Sequence, residues 1–223
     1  MKIIPGVNCA DEQCLENRFA VLRTLFKETE FHKNPLVHLD ISDGVFTPMH
    51  TIEDFRTVFR LRDRLLPEVR IRVHCMVQDP VRRAKEWLTE GADGVFIHFD
   101  IPEREKIATL VQEYGDKIGI VVTTETKLED VIPFAREISA KNVLVLAVRP
   151  GFSAQRFDEK ALEIMGALRN ELRNVTIGAD GGMNPETVAK VQRAGVEYAV
   201  SSSFLFNHDD PARAFRKLEK ATL

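Results

Sequence analysis

Two histidines and two aspartates stand where apolar runs end: His38 and Asp40 in VHLDISDG, residues 37–44, His74 in RVHCMV, and Asp180 in TIGADGG. Imidazole nitrogens and carboxylate oxygens form a ligand set of borderline softness, suited to Zn²⁺ or another divalent transition metal with room left for a substrate. The carboxylates have a second use, because a pair of them at one mouth can take a proton from a carbon acid and return one. A polar pair at an apolar strand end costs free energy unless something binds it. Taken singly, a strand-end histidine is more often a hydrogen-bonded structural residue, and an Asp before Gly-Gly is more often a turn. The joint appearance of all four at three strand ends favours a site. No local spacing such as H-E-x-x-H is present, so the metal assignment depends on a fold that brings distant strands together.

Such a fold is legible in the periodicity. Strand-length apolar runs alternate with amphipathic stretches, and there are eight alternations. The strands are KIIPGV, LVHLDI, VRIRVHCMV, GVFIHF, KIGIVV, NVLVLAV, VTIGAD and EYAVSS. The helical patterns run over 11–29, 52–65, 80–89, 102–114, a segment opening on a Thr126-x-x-Glu129 capping box, 157–172, a segment with Asn184 as N-cap and Gly195 as stop, and from Pro211 onward. Repeated βα units imply parallel strands with right-handed crossovers, and eight of them predict a closed (β/α)₈ TIM barrel as one domain over residues 1–223. An open doubly wound sheet is the alternative, but KIIPGV is followed by no glycine-rich dinucleotide fingerprint.

In a parallel barrel the reactive residues sit at the C-terminal strand ends, and side chains two apart share a face. His38 and Asp40 therefore face the mouth, with Val37 and Leu39 toward the helices; His98 in FIHFD shares the mouth phase, and Cys75 alternates away from it. Trp87 and the helix phenylalanines read as core.

Composition narrows the function class. With 44% hydrophobic and 29% charged residues the chain is an ordinary globular one, and a net charge of -3 provides no global field for nucleic acid or an anionic membrane. The N-terminal apolar run breaks at Pro5-Gly6 and no stretch reaches a membrane span. Cys9, Cys14 and Cys75 cannot all pair with one another and lack the spacing of a disulfide framework or zinc ribbon, so a soluble protein of the reducing cytoplasm is expected.

The segments VHLDISDGVFTP, VHCMVQDP, VLAVRPGFSAQRF and IGADGGMNPETVAKVQRAGVEYAVSSSFLF resemble, in order and spacing, the signature regions of ribulose-phosphate 3-epimerases. The resemblance implies a (β/α)₈ barrel that interconverts D-ribulose 5-phosphate and D-xylulose 5-phosphate with one divalent metal, Zn²⁺ foremost and Fe²⁺, Mn²⁺ or Co²⁺ as alternatives. It places the ligands on His38, Asp40, His74 and Asp180, and the acid/base pair on Asp40 and Asp180. Substrate contacts are expected at His74, Met76, Gly151, Phe152, Ser153, Ala154, Gly181, Gly182, Ser202 and Ser203. A phosphorylated ketose partner and a homo-oligomer, dimer or hexamer, are also implied, with no nucleic acid or membrane partner.

Departures from the family pattern lie around the substrate. Gly6 replaces a serine, Ser42 and Leu146 replace methionines, Thr123-Thr124 replaces Asn-Pro, Arg149 replaces Asn, and Ser153-Ala154 and Ser202-Ser203 stand in glycine-containing phosphate loops. Two further readings accompany the pentulose epimerase: an epimerase of a ketohexose 6-phosphate, and a catalytically silent barrel that binds a sugar phosphate. A metal-independent phosphate-binding barrel is disfavoured by the four intact ligand types.

Overall fold

The computed structural model describes residues 1–28, 35–151 and 154–222. Eight strands close a parallel barrel in chain order: β1 (Lys2–Val7), β2 (Leu36–Ser42), β3 (Arg70–Met76), β4 (Gly94–His98), β5 (Ile118–Thr123), β6 (Asn142–Leu146), β7 (Thr176–Asp180) and β8 (Tyr198–Ser201). The helices are α1 (Glu12–Glu28), α2 (Phe55–Leu65), α3 (Pro80–Thr89), α4 (Glu105–Tyr114), α5 (Leu128–Glu137), α6 (Lys160–Glu171), α7 (Pro185–Arg193), α8 (Ser203–Phe206) and α9 (Pro211–Ala221). Among the described residues no helix is long and apolar enough to cross a membrane.

The period-two alternation divides the core into two shells. Val37, Leu39 and Ile41 of β2 and Ile71, Val73 and Cys75 of β3 pack outward against Leu15, Phe19, Val58 and Trp87 of the surrounding helices. Inside the barrel lie Ile4, Leu36, Phe96, Val121, Leu144, Leu146, Tyr198 and Val200. Two rings plug the lower interior, and the chain makes room for them: any Cβ at Gly119 or Gly178 would collide with the ring of Phe96 or Tyr198. The Arg72 guanidinium lies 5.4 Å and 5.7 Å from the centroids of these two rings and closes the floor with them.

Several helices begin later than their hydrophobic pattern does, because residues at the mouth are taken up by loops. α2 starts after Asp54, whose carboxylate accepts from the backbone N–H of Arg56 and Thr57. Asn184 caps α7 as expected, with Thr187 completing a reciprocal box. Thr126 does not cap α5, which follows Lys127 without a side-chain cap. Its hydroxyl instead donates to Asp100 Oδ2 at 2.8 Å and accepts from Thr123 N–H at 3.0 Å, fastening the turn after β5.

The cysteine expectation is corrected. Cys9 and Cys14 are joined by a disulfide across 5.5 Å between Cα atoms, and only Cys75 is free among the described cysteines. The loop after β1 folds back onto the first turn of α1 and brings the two sulfurs together, a proximity that spacing alone does not announce. Alkylation of the denatured chain should label one cysteine before reduction and three after it, read by mass; three without reductant would show that the bond does not persist.

Candidate active site

Neighbouring-strand register brings the four residues together. Asp40 stands opposite His74, and Leu146 stands opposite Asp180, which in turn faces Val200 on β8. All four residues offer ligand atoms that lie within 4.8 Å of one another. Asp40 Oδ1 is 3.3 Å from His38 Nε2 and 3.0 Å from His74 Nδ1, while Asp180 Oδ2 is 3.7 Å and 4.0 Å from the same two nitrogens. His38 Nε2 is buried, and its approach to Asp40 Oδ1 lacks the geometry of a full hydrogen bond. A buried nitrogen so weakly partnered and aimed at two carboxylates is the ligand atom a cation would satisfy, so the residues fit a divalent metal.

Electrostatics separates the two aspartates. Burial pushes Asp40 up, but hydrogen bonds and charge from His38 and His74 outweigh it and hold its carboxyl far below the usual carboxylate range. Asp180 has burial and the Asp40 charge acting together, and is pushed up to about 6. Burial lowers the His38 pKa, yet the bond to Asp40 and the charges of both aspartates bring it above its ordinary value.

Above the ligands one cavity is lined by Asp40, His74, Met76, Gly151, Ala154, Asp180, Gly181, Gly182, Ser202 and Ser203, all expected from the sequence. His38 lies beneath it, and Phe152 and Ser153 fall outside the described residues. Asn8, Thr51, Gln155 and Met183 also line it and were not anticipated. Asn8 is the residue just after β1 and accepts from the Ser202 hydroxyl at 3.3 Å; the strand-end rule applied to β1 would have found it. Asp43 holds the loop rather than the cavity: its carboxylate accepts from the backbone N–H of Val45, Phe46 and Gln78, which keeps its pKa low against a partly opposing burial.

The family model for "Ribulose-phosphate 3 epimerase family" matches residues 12–206. The chain belongs to this family. Ribulose-phosphate 3-epimerase of Bacillus subtilis is 26% identical over 224 residues, 98% of each chain. That of Aquifex aeolicus is 30% identical over 84% of this chain and 85% of its own. Among solved structures, 3-hexulose-6-phosphate synthase from Salmonella typhimurium superposes with a TM-score of 0.71 at 13% identity, covering 100% of this chain and 98% of that one. That likeness is one of fold.

Against the epimerase pattern, several departures have structural reasons. A side chain at Gly6 would sit 2.7 Å from Val200 Cγ1, so β8 occupies the space where the family carries a serine. Ser42 is fully buried, shares a hydrogen bond with Thr47 at 2.6 Å and donates to the Met49 carbonyl at 2.7 Å. The loop after β2 is thus knitted by hydroxyls where a methionine would offer only contact. Thr47 in turn supports Gly151, whose φ of +114° and close approach, 2.9 Å from a Cβ to Thr47 Cβ, leave no room for a side chain.

Ala154 keeps a left-handed backbone, with φ of +60°. The loop therefore retains a glycine-like path without glycine, at a cost of roughly 1 kcal/mol. Ala154→Gly should raise stability by up to about 1 kcal/mol in denaturant titration, less whatever the freer unfolded chain takes back. An unchanged or lower midpoint would show that the loop is not strained there.

Proposed function

We propose that this chain is a metal-dependent 3-epimerase of a ketose phosphate, with D-ribulose 5-phosphate and D-xylulose 5-phosphate as its pair. The observation that carries the reading is the convergence of Asp40 and Asp180 with His38 and His74 within 4.8 Å at the mouth of a family barrel. The whole chain, 1–223, is read as one barrel domain that assembles as a homo-oligomer.

Inversion at a carbon next to a ketone needs a proton removed on one face and returned on the other. Asp40, held ionised by two imidazoles, and Asp180, across the cavity from it, are assigned as the acid/base pair, one for each face. Strands two and seven approach the cavity from different sides, so the carboxylates flank a planar intermediate. His38, Asp40, His74 and Asp180 would hold one divalent cation, Zn²⁺ foremost, which supplies Lewis-acid polarisation of the ketone. Backbone N–H groups of the loops at Gly151, Gly181–Gly182 and Ser202–Ser203 are assigned to the phosphate, and the sequence resemblance adds Phe152 and Ser153, which lie outside the described residues.

A larger substrate is the second reading, favoured by Ser42 and Leu146 at the cavity wall in place of methionines. A coupled assay with ribulose 5-phosphate and a panel of ketohexose 6-phosphates, with Zn²⁺, Mn²⁺, Fe²⁺ or Co²⁺ added in turn, separates the two. Turnover of the pentulose alone supports the first reading, and preference for a hexulose the second. No turnover of any ketose phosphate, with phosphate still bound, would leave a silent barrel.

A further inference from the structure

His98 lies at the end of β4, 2% exposed, and does not line the cavity. Its ring is held between two others: the Phe46 centroid is 4.8 Å away and the His74 centroid 5.0 Å, the latter stacked at 22°. His98 Nε2 is 2.9 Å from His74 Nε2, both atoms within the barrel. Two imidazole nitrogens at that distance share one proton, so one donates and the other accepts.

We propose that His98 is a positioning residue that accepts from His74 Nε2–H and so fixes the tautomer of His74 that leaves the Nδ1 lone pair facing Asp40 and Asp180. The reverse arrangement, with His98 donating, would move the His74 proton to Nδ1, 3.0 Å from Asp40 Oδ1, where it would occupy the position a cation takes. Metal-binding histidines commonly give their second N–H to a carboxylate, a carbonyl or water. Here the acceptor is another imidazole. Its own proton must then sit on Nδ1.

The inference rests on the metal-site reading, because without a cation His74 Nδ1 can instead donate to Asp40. Long-range ¹H–¹⁵N correlation of the Zn²⁺-saturated protein should show His98 protonated on Nδ1 and bare on Nε2. A proton on His98 Nε2 in that state overturns the proposal. His98→Leu should weaken Zn²⁺ or Co²⁺ binding roughly 10–100-fold by chelator competition and alter the d–d absorption of the Co²⁺ form. His98→Gln, whose amide oxygen can accept the same proton, should restore affinity to within a few-fold of the parent. Parent-like affinity and spectrum in a folded Leu variant would overturn the proposal, as would a Gln variant no better than Leu. A parent protein that binds no cation would sink the metal reading and this inference with it, whereas a Zn²⁺-bound parent with the proton on His98 Nε2 sinks the inference alone.

Discussion

Asp40→Asn and Asp180→Asn should each lower epimerisation by at least ~10²-fold, the ordinary worth of one positioned acid or base. Asparagine keeps an oxygen for a cation and nearly the same volume, so the fall reports lost proton transfer rather than a collapsed site. The two variants should also differ from each other. Each retains one carboxylate and therefore one face, so each should still exchange the C3 hydrogen of one epimer with deuterated water while failing to interconvert the pair. Epimerisation within about tenfold of the parent in both variants would remove these residues from the mechanism. Asp43, the other acid of the motif, is an unpromising substitute because three backbone N–H groups already engage its carboxylate.

The second large effect is on stability. Four inward ligand residues, among them His38 with its weakly partnered Nε2, are costly to hold without a cation, so saturating chelator-treated protein with Zn²⁺ or Mn²⁺ should raise Tm substantially. At a thousandfold excess over Kd, binding contributes about 4 kcal/mol, or roughly 8–16 °C for a chain of this size. The shift should shrink as pH falls through 6, where a proton on Asp180 competes with the cation, and the raised His38 adds competition in the same direction. In the metal-free protein the sign for Asp180 is opposite. Its pKa rises from 3.8 to about 6 on folding, so its contribution is fully present below 3.8 and is lost as pH rises through 6. A metal-induced Tm shift that is absent, or that grows on acidification between pH 7 and 5, would contradict the ligand assignment.

The parts of this molecule that follow from periodicity were open to reading in advance. Alternation along β2 places His38 and Asp40 inside and Val37 and Leu39 outside, and the structure has them there. Alternation also turns Cys75 outward. What alternation cannot reveal is register between strands, which decides that His98 meets His74 rather than substrate. Loops hide more. Thr126 satisfies every local rule for a helix cap, yet Asp100 lies closer to hand from the preceding strand's end and takes its hydroxyl. Cys9 and Cys14 meet because the chain turns sharply after Val7, and Asn8 enters the cavity for the same reason. Composition predicts none of these, since each depends on where a neighbouring segment happens to pass.

The plugged floor of the barrel has a consequence for the fate of a transferred hydrogen. Leu36, Phe96, Tyr198 and the Arg72 guanidinium close the lower interior, so in the proposed epimerase ketose, product and water would share one doorway at the top. In that reaction a hydrogen lifted from C3 would stay beside the carbanion until water entered from the top, and its return to carbon would race against that entry. The fraction of ³H carried from substrate to product, or retained in recovered substrate, is therefore a clock for the doorway. Loosening the loop at Thr47, where it leans on Gly151, should erase retention before it slows turnover.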